Sequence, residues 1–174
     1  RVPSIPFCPM NPIVLEVLLT ENPQDDTSLL NRAKAGITAM KSAQISKYDA
    51  FVPALELPEP GYVLVVDQTR KDASIKASGA DSNTFREMLF FALTEHPGAR
   101  IIIKTHPETA AGHRDGYFTK DDETRQISIC DDPVSPWALM EGAIAVYTVS
   151  SQMGFEAILA ALTLGLVLLL RRPL

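Results

Sequence analysis

The sequence predicts an α/β protein with a Rossmann-like, mostly parallel sheet, preceded by a helical N-terminal segment. Short apolar runs rich in β-branched residues alternate with segments of helical periodicity from about residue 62 onward. The chain has 174 residues, 46% of them apolar, which is enough for one core of ordinary domain size. Polar clusters directly follow three of the apolar runs, and ligands bind at that edge of parallel sheets.

The first part of the chain, residues 1–60, is predicted to be a helical linker segment. Ile13–Leu19 is predicted to form a short helix, and a second helix begins at the caps Asp26–Ser28 and ends near Lys47. Its apolar stripe contains Leu30, Ala33, Ile37 and Met40. The proline-rich stretch Pro53–Gly61 then marks the boundary with a second region, residues 61–174.

The second region is predicted to contain four strands and three helices. Its strands have the continuous apolar character of a sheet that is covered on both faces, and a polar loop, Asp67–Asp81, follows the first of them. In chain order, the predicted elements are strand Tyr62–Val66, helix Asn83–Thr94, strand Arg100–Lys104, strand Ile127–Cys130, helix Ser135–Met140, strand Ala143–Tyr147 and helix Met153–Ala161.

The apolar run Ala157–Leu170 near the C-terminus is predicted to be a buried helix, with a passage into a strand towards its end left open. Its fourteen residues fall short of the ~20 that span a bilayer as a helix. A membrane-associated tail is the alternative. No signal peptide is expected, because the first ten residues hold three prolines and lack an apolar core.

The composition excludes several classes of protein. A net charge of −5 without a dense basic face argues against a nucleic-acid partner. The three histidines and the two distant cysteines, Cys8 and Cys130, have neither metal-site spacing nor the pattern of a disulfide framework. We therefore expect no metal, and a reducing compartment such as the cytoplasm.

Three polar clusters are predicted to meet at the carboxyl edge of the sheet. They are Asp67–Ser74, Lys104–Glu108 and Thr148–Gln152, and the last leads into a helix whose free N–H groups favour an anion. Each cluster also has a purely structural interpretation. Asp67 and Asp72 can be turn caps, and Ser150 and Ser151 can be helix caps.

The histidines have structural interpretations too. His106 precedes Pro107, which favours an extended backbone whatever its function. His96 is expected only to end a helix, and His113 to lie on the surface. Trp137 is expected in the core.

Several ordered motifs resemble a known family. They are Tyr62–Ile75 (YVLVVDQTRKDASI), Ile103–Pro107 (IKTHP), the Gly112–Tyr117 loop, Val146–Ala157 (VYTVSSQMGFEA) and Ser46–Tyr48 (SKY). Together they resemble the KpsC/LipA-type capsule polysaccharide biosynthesis family over about residues 3–157. Members of that family transfer Kdo, 3-deoxy-manno-octulosonic acid, from CMP-Kdo to a lipid-linked acceptor with retention of the β configuration.

The resemblance implies a GT-B-like module of two Rossmann-type domains, of which residues 61–174 would be the C-terminal, CMP-sugar-binding half. The implied partners are the CMP-Kdo donor, a lipid-linked saccharide acceptor, and the N-terminal domain or other capsule-assembly proteins. The lipid acceptor would bring the chain to the periphery of the inner membrane. The donor is a substrate, and no further cofactor is implied.

The resemblance also implies residue roles. His106 and Pro107, with Ser150 and Ser151, correspond to residues that hold the nucleotide in CMP-sugar transferases, and His106 would stabilise the leaving phosphate. Lys104 would be a nearby charge, Gln152 belongs to the same loop, and Glu156 is a candidate for the ribose hydroxyls. Retention implies a carboxylate nucleophile, first Asp72 and second Asp67. Histidine, lysine and helix amides would neutralise the phosphate without a metal.

Two departures from the family pattern lead us to expect an incomplete module. From Leu159 onward the sequence differs from the glycine- and aromatic-rich segment of the family, as after a frameshift or a premature end. The N-terminal Rossmann domain is also absent from this sequence. We therefore expect slow turnover or none. The alternatives are a non-catalytic nucleotide-binding remnant and an unrelated α/β domain that binds another phosphate ligand.

Overall fold

The computed structural model describes residues 26–48, 50–52, 55–160 and 167–168. The predicted helix Ile13–Leu19 and Cys8 lie outside these residues, as does most of the apolar run after Ala160. The fold is therefore defined by the second helix of the N-terminal segment and by nearly all of the predicted α/β region.

Among the described residues, the sheet has five strands in the order β3-β2-β1-β4-β5, and each neighbouring pair is parallel. The strands are β1 (Tyr62–Val66), β2 (Ile101–Lys104), β3 (Ile127–Cys130), β4 (Ala143–Thr148) and β5 (Val167–Leu168). This confirms the predicted fold class. The order reverses direction between β1 and β4, and this is the switch point at which doubly wound sheets bind ligands.

Helices cover both faces of the sheet, as the continuous apolar strands predicted. The described helices are α1 (Thr27–Ser42), α2 (Ala73–Ala77), α3 (Ser82–Glu95), α4 (Pro107–Ala110), α5 (Pro136–Gly142) and α6 (Gln152–Leu159), with a 3₁₀ turn at Lys120–Asp122. One face packs Tyr62 and Leu64 of β1 against Trp137 of α5. The other packs Val63 against Phe85 of α3. All five β1 side chains are therefore buried.

Two short helices occupy segments that the sequence predicted as loops. Asp72 caps α2 and His106 caps α4, and in each case the cap side chain accepts a backbone N–H two residues further on. Caps of this kind satisfy N–H groups that have no partner within the helix. The predicted extended backbone at His106 is confirmed, with φ −63° and ψ 139°, as expected before a proline.

Helix α1 differs from its prediction in length and burial. It ends at Ser42 rather than near Lys47, and Gln44 beyond it adopts a left-handed φ of 51°. None of its residues is fully buried, and Ala33 of the predicted stripe is exposed. Only its C-terminal end reaches the domain, where Met40 packs on the core and Lys41 Nζ donates to the Ala160 carbonyl.

The C-terminal apolar run is described at its two ends only. Helix α6 ends at Leu159, and Val167 and Leu168 form a parallel strand beside Tyr147 and Thr148. The run therefore begins in a helix and contains a short strand, and residues 161–166 between them lie outside the described residues. In the part of the chain that the structure describes, no helix is both long and apolar enough to span a membrane.

Candidate functional site

A cavity of about 750 Å³ opens at the carboxyl edge of the sheet, beside the switch point between β1 and β4. This volume lies within the range of small-molecule sites. Its walls come from the loops after β1, β2, β3 and β4, from α6 and from the segment that follows α1. Every site residue predicted from the sequence lines it: Asp67, Asp72, Lys104, His106, Pro107, Ser150, Ser151, Gln152 and Glu156.

Asp72 is a half-buried, ionised carboxylate at the start of α2. Its Oδ1 accepts the Ser74 backbone N–H at 2.8 Å and the Ser74 hydroxyl at 2.9 Å. The Ser74 N–H is the largest cause of its lowered pKa, and the charges of Lys47 and Arg114 add to the effect. Asp72 is thus a helix cap, as the structural interpretation held, and also a carboxylate at the cavity wall.

Asp67 has a different environment, although it belongs to the same motif. It is 2% exposed, and its Oδ1 accepts the N–H groups of Gln68 and Tyr117, while Oδ2 accepts that of Phe118. Burial raises its pKa to about 6 in spite of these bonds. Both oxygens are therefore engaged in holding the Gly116–Phe118 loop against the end of β1.

Gly116 is a glycine because Asp67 lies against it. A Cβ at this position would clash with Asp67 Oδ2 and lie 3.2 Å from the Thr109 methyl group. The same loop is joined to the loop after β1 through Arg70, whose Nε donates to the Gly116 carbonyl at 2.8 Å. The predicted Gly112–Tyr117 motif is thus a support for the site rather than part of its lining.

His106 lines the cavity in a defined protonation state. The Glu108 N–H donates to its Nδ1 at 3.2 Å, so the neutral ring carries its proton on Nε2. Burial is the largest cause of its lowered pKa, which keeps the ring neutral near pH 7. Pro107 begins α4 at its first position, where a missing N–H costs nothing. His106 is therefore a neutral hydrogen-bond donor beside the cavity.

A hydrogen-bonded network joins the ends of β1 and β4 across the switch point. The buried Gln68 accepts the Ser150 N–H on Oε1 at 3.0 Å, and its Nε2 donates to the Ser150 hydroxyl at 3.2 Å. The Ser74 and Ser150 hydroxyls are 3.0 Å apart. Because Ser74 also donates to Asp72, the predicted nucleophile and the predicted nucleotide loop belong to one network.

Ser151 caps α6 by accepting the Met153 N–H at 3.3 Å. This helix packs tightly on the end of β4, because a Cβ at Gly154 would lie only 2.6 Å from the Thr148 methyl group. The N-terminus of α6 and its partial positive charge are therefore fixed at the cavity wall.

Lys104 lines the cavity, but its ammonium is bound to the protein. Its Nζ donates to the carbonyl oxygens of Asp132 at 2.9 Å and Cys130 at 3.3 Å. Burial lowers its pKa. Lys104 thus holds the loop after β3 in place and supplies a fixed positive charge at the end of β2.

Glu156 is the most deeply buried carboxylate of the site, with an exposed fraction of 1%. Its Oε1 accepts the Ser46 hydroxyl at 2.9 Å and the Gln152 side-chain amide at 3.4 Å. Its Oε2 has no hydrogen-bond partner among the described residues. An unsatisfied buried acceptor costs about 1–3 kcal/mol, so a ligand hydroxyl at Oε2 would relieve that cost.

The structure brings together all of the predicted residues and excludes the histidines that were set aside. His113 is exposed, His96 ends α3, and Trp137 is in the core as predicted. The sequence reasoning assigned no role to Gln68, Ser46 or Tyr48. Gln68 follows Asp67 directly, and Ser46–Tyr48 was noticed as a motif, but its approach to the cavity is a long-range contact. In the described part of the chain, no cluster of His, Cys, Asp and Glu could hold a metal ion.

The comparisons with known proteins agree with this geometry. The sequence profile of the family described as "Capsule polysaccharide biosynthesis protein" matches residues 26–167. The chain belongs to this family. The match runs from the start of α1 to β5 and so includes every wall of the cavity.

Curated relatives support the assignment. The chain is 33% identical over 154 residues to the capsule polysaccharide modification protein LipA of Neisseria meningitidis serogroup B, which covers 85% of this chain and 22% of LipA. It is 31% identical over 161 residues to the lipopolysaccharide-processing protein LpsZ of Rhizobium meliloti. This match covers 90% of this chain and 37% of LpsZ. The chain thus spans about a fifth of LipA.

Two solved structures from Thermosulfurimonas dismutans are similar. The KpsC β-Kdo 2,4 transferase superimposes with a TM-score of 0.79 at 34% identity, covering 92% of this chain and 51% of that one. The KpsC β-Kdo 2,7 transferase superimposes with a TM-score of 0.65 at 23% identity, covering 91% and 47%, and shows the shared fold. The chain spans about half of each solved structure.

Proposed function

We propose that this chain binds CMP-Kdo and forms the donor half of a retaining β-Kdo transferase in capsule polysaccharide biosynthesis. One observation supports this best: Asp72, His106 and the Ser150–Ser151 loop, from the ends of three different strands, line a single cavity. The similarity to a β-Kdo 2,4 transferase over 92% of the chain supports the same substrate class.

In this proposal the nucleotide phosphate binds between α4 and α6. The neutral His106 donates its Nε2–H to the phosphate, and Ser150, Ser151 and the free N–H groups of α6 donate to it as well. These donors stabilise the charge that appears on the phosphate as it leaves. Glu156 Oε2, which is buried and unsatisfied among the described residues, accepts hydrogen bonds from the ribose hydroxyls, next to Gln152.

Asp72 is the proposed nucleophile. One of its carboxylate oxygens attacks the anomeric carbon of Kdo, and the bond from that carbon to the phosphate oxygen breaks, with both electrons leaving on CMP. The acceptor hydroxyl then attacks the same carbon, gives its proton to solvent water and displaces Asp72 as a free carboxylate, so that two inversions give net retention. The lowered pKa of Asp72 favours this role. Asp67 is less suited to it, because burial raises its pKa to about 6 and both of its oxygens already accept backbone N–H groups.

Calorimetric titration of CMP tests the donor site directly. We expect saturable binding that is weakened at least tenfold by His106→Ala and that AMP and UMP do not match. His113→Ala, which removes an exposed histidine of a nearby loop, is the matched control and should leave the affinity unchanged. A cooperatively folded chain that ignores CMP, or that binds AMP equally well, would contradict the proposal.

A second candidate function is nucleotide binding without turnover, which is favoured by the coverage of only 51% of the solved transferase. In GT-B enzymes the donor and the acceptor react in the cleft between two domains. Binding of the lipid-linked acceptor would therefore require the other domain or a partner capsule-assembly protein. In the cell, that acceptor would bring the chain to the cytoplasmic face of the inner membrane. CMP release from CMP-Kdo with a lipid-linked acceptor distinguishes the two functions. We expect it to be slow or undetectable for the isolated chain, and rates like those of a longer relative would contradict this.

A further inference from the structure

The segment that follows α1 is held against the cavity by two long-range hydrogen bonds. The Trp137 Nε1–H donates to the Ile45 carbonyl at 2.9 Å, and the Ser46 hydroxyl donates to Glu156 Oε1 at 2.9 Å. The first bond fixes the segment to α5 and the second to α6. Ser46, Lys47 and Tyr48 therefore form a wall of the cavity, although they precede the proline-rich linker in the sequence.

Lys47 lines the same cavity as Asp72 and His106, the two groups to which the chemistry is assigned. Its Nζ is 5.1 Å from the centroid of the Tyr48 ring, and that ring meets the His106 ring edge-on with centroids 5.0 Å apart. The pKa of Asp72 is lowered first by the Ser74 N–H and also by the Lys47 charge. The pKa of His106 is lowered first by burial and also by that charge. The ammonium group is therefore within electrostatic reach of both.

Lys47 differs from Lys104, the other lysine of the cavity. Two donor bonds to carbonyl oxygens fix the Lys104 ammonium. Lys47 is exposed, and the structure gives its ammonium no hydrogen bond or ion pair with the described residues. Among the described residues that line the cavity, Lys47 is thus the cation with donors available to a ligand.

The proposed donor would bring negative charges together at this place. A keto-acid sugar such as Kdo carries a carboxylate on the carbon next to the anomeric carbon, and the phosphate is attached to the anomeric carbon itself. Asp72 has to approach that carbon with a third negative charge. Negative charges on adjacent groups repel strongly in a partly desolvated site, and a cation close to them offsets the repulsion.

We propose that the Lys47 ammonium binds the carboxylate of the donor sugar and so selects keto-acid sugars over neutral ones. This inference rests on the proposed function. Tyr48 positions the ammonium by presenting its ring face to it, while the same ring packs nearly at right angles to the His106 ring. The phosphate then remains with His106 and α6, and the carboxylate with Lys47.

Parallel titrations of CMP and CMP-Kdo test this division. The proteins are the full chain, Lys47→Met, Lys47→Arg and Lys34→Met, the last being a matched change of an exposed α1 lysine. We expect Lys47→Met to bind CMP within twofold of the unmodified chain and CMP-Kdo at least tenfold more weakly. Lys47→Arg should recover most of the donor affinity, and Lys34→Met should change neither.

The outcomes separate this inference from the proposed function. An unmodified chain that does not bind CMP would overturn both. If the chain binds CMP but Lys47→Met weakens CMP and CMP-Kdo equally, Lys47 contacts the phosphate, and the carboxylate assignment is wrong. Unchanged binding of both ligands would also overturn it. A urea transition that coincides with that of the unmodified chain establishes that Lys47→Met is folded.

Discussion

The hydroxyl groups of Ser74 and Ser150 lie 3.0 Å apart and join the loop after β1 to the loop after β4. The Gln68 side chain accepts the Ser150 backbone N–H and donates to the Ser150 hydroxyl. The Ser74 hydroxyl donates to the Asp72 carboxylate. The loops on the two sides of the switch point are thus linked by side chains, in addition to the backbone pairing of β1 with β4. This link determines where the nucleophile candidate stands relative to the nucleotide loop.

A double-mutant cycle of Gln68→Ala and Ser150→Ala should measure this link. We expect each single change to lower the free energy of unfolding, Gln68→Ala by about 1 kcal/mol because it leaves the partly buried Ser150 N–H without its acceptor. The double variant should lose roughly 0.5–1 kcal/mol less than the sum, because the two side chains share their bonds. Urea unfolding supplies the four values. Strict additivity would show that the network is energetically unimportant.

Asp72 caps α2 in the structure and is also the proposed nucleophile, and two substitutions separate these roles. Asparagine caps helices about as well as aspartate, so Asp72→Asn should keep the stability of the chain while it removes the carboxylate. Asp72→Ala should also lose the cap of α2 and about 1 kcal/mol of stability. Both variants should show no CMP release from CMP-Kdo in an assay where the intact site is active, and Asp72→Asn should bind CMP within twofold. Equal stabilities for the two variants would contradict the capping role.

Asp67 should make the stability depend on pH in the weakly acidic range. Its folded pKa is about 6, above the ordinary value of 3.8, so the folded state binds the proton more tightly than the unfolded state. The contribution of Asp67 to the free energy of unfolding is complete below about pH 3.8, and it is lost as the pH rises through 6. Between pH 5 and pH 7 the loss is about 1 kcal/mol.

The pH effect is isolated by comparison with Asp67→Asn. His106 acts in the opposite direction, since its lowered pKa makes the folded state less stable as the pH falls below about 6.5. The difference in unfolding free energy between the unmodified chain and Asp67→Asn cancels that contribution. This difference should shift by about 1 kcal/mol between pH 5 and pH 7. A constant difference would show that Asp67 titrates normally.

Two glycine substitutions should have opposite effects. Gly116→Ala places a methyl group against Asp67 Oδ2, so it should destabilise the chain by about 1–3 kcal/mol and weaken CMP binding by displacing the loop. Gly36→Ala is the control within α1, where a Cβ meets no atom within 4 Å. It should leave CMP binding unchanged, and it should stabilise α1 by up to about 1 kcal/mol. A Gly116→Ala variant as stable as the unmodified chain would show that Asp67 can move away.

The fold and the membership of the site were predictable from local patterns. A β-branched apolar run such as Tyr62–Val66 is typical of a strand covered on both faces, and the structure buries all five of its side chains. Parallel strands all present their carboxyl ends at one edge. The polar clusters that contain Asp72, His106 and Ser150 directly follow strands, which predicted that these residues meet in one cavity, as they do. The short helices α2 and α4 were not predicted, because each has too few residues for the periodic pattern of a helix to be recognised in the sequence.

By itself, the sequence determined the sheet, the edge that carries the site and the residues that approach it, because hydrophobic periodicity and strand direction are local properties. Only the tertiary structure distinguished Asp67 from Asp72, since burial and the two N–H donors from the distant Gly116–Phe118 loop are invisible in a shared motif. It also brought Ser46 to Glu156 across 110 positions and Lys47 to the cavity wall. Such contacts depend on how helices pack on the sheet, and residue spacing does not encode that packing.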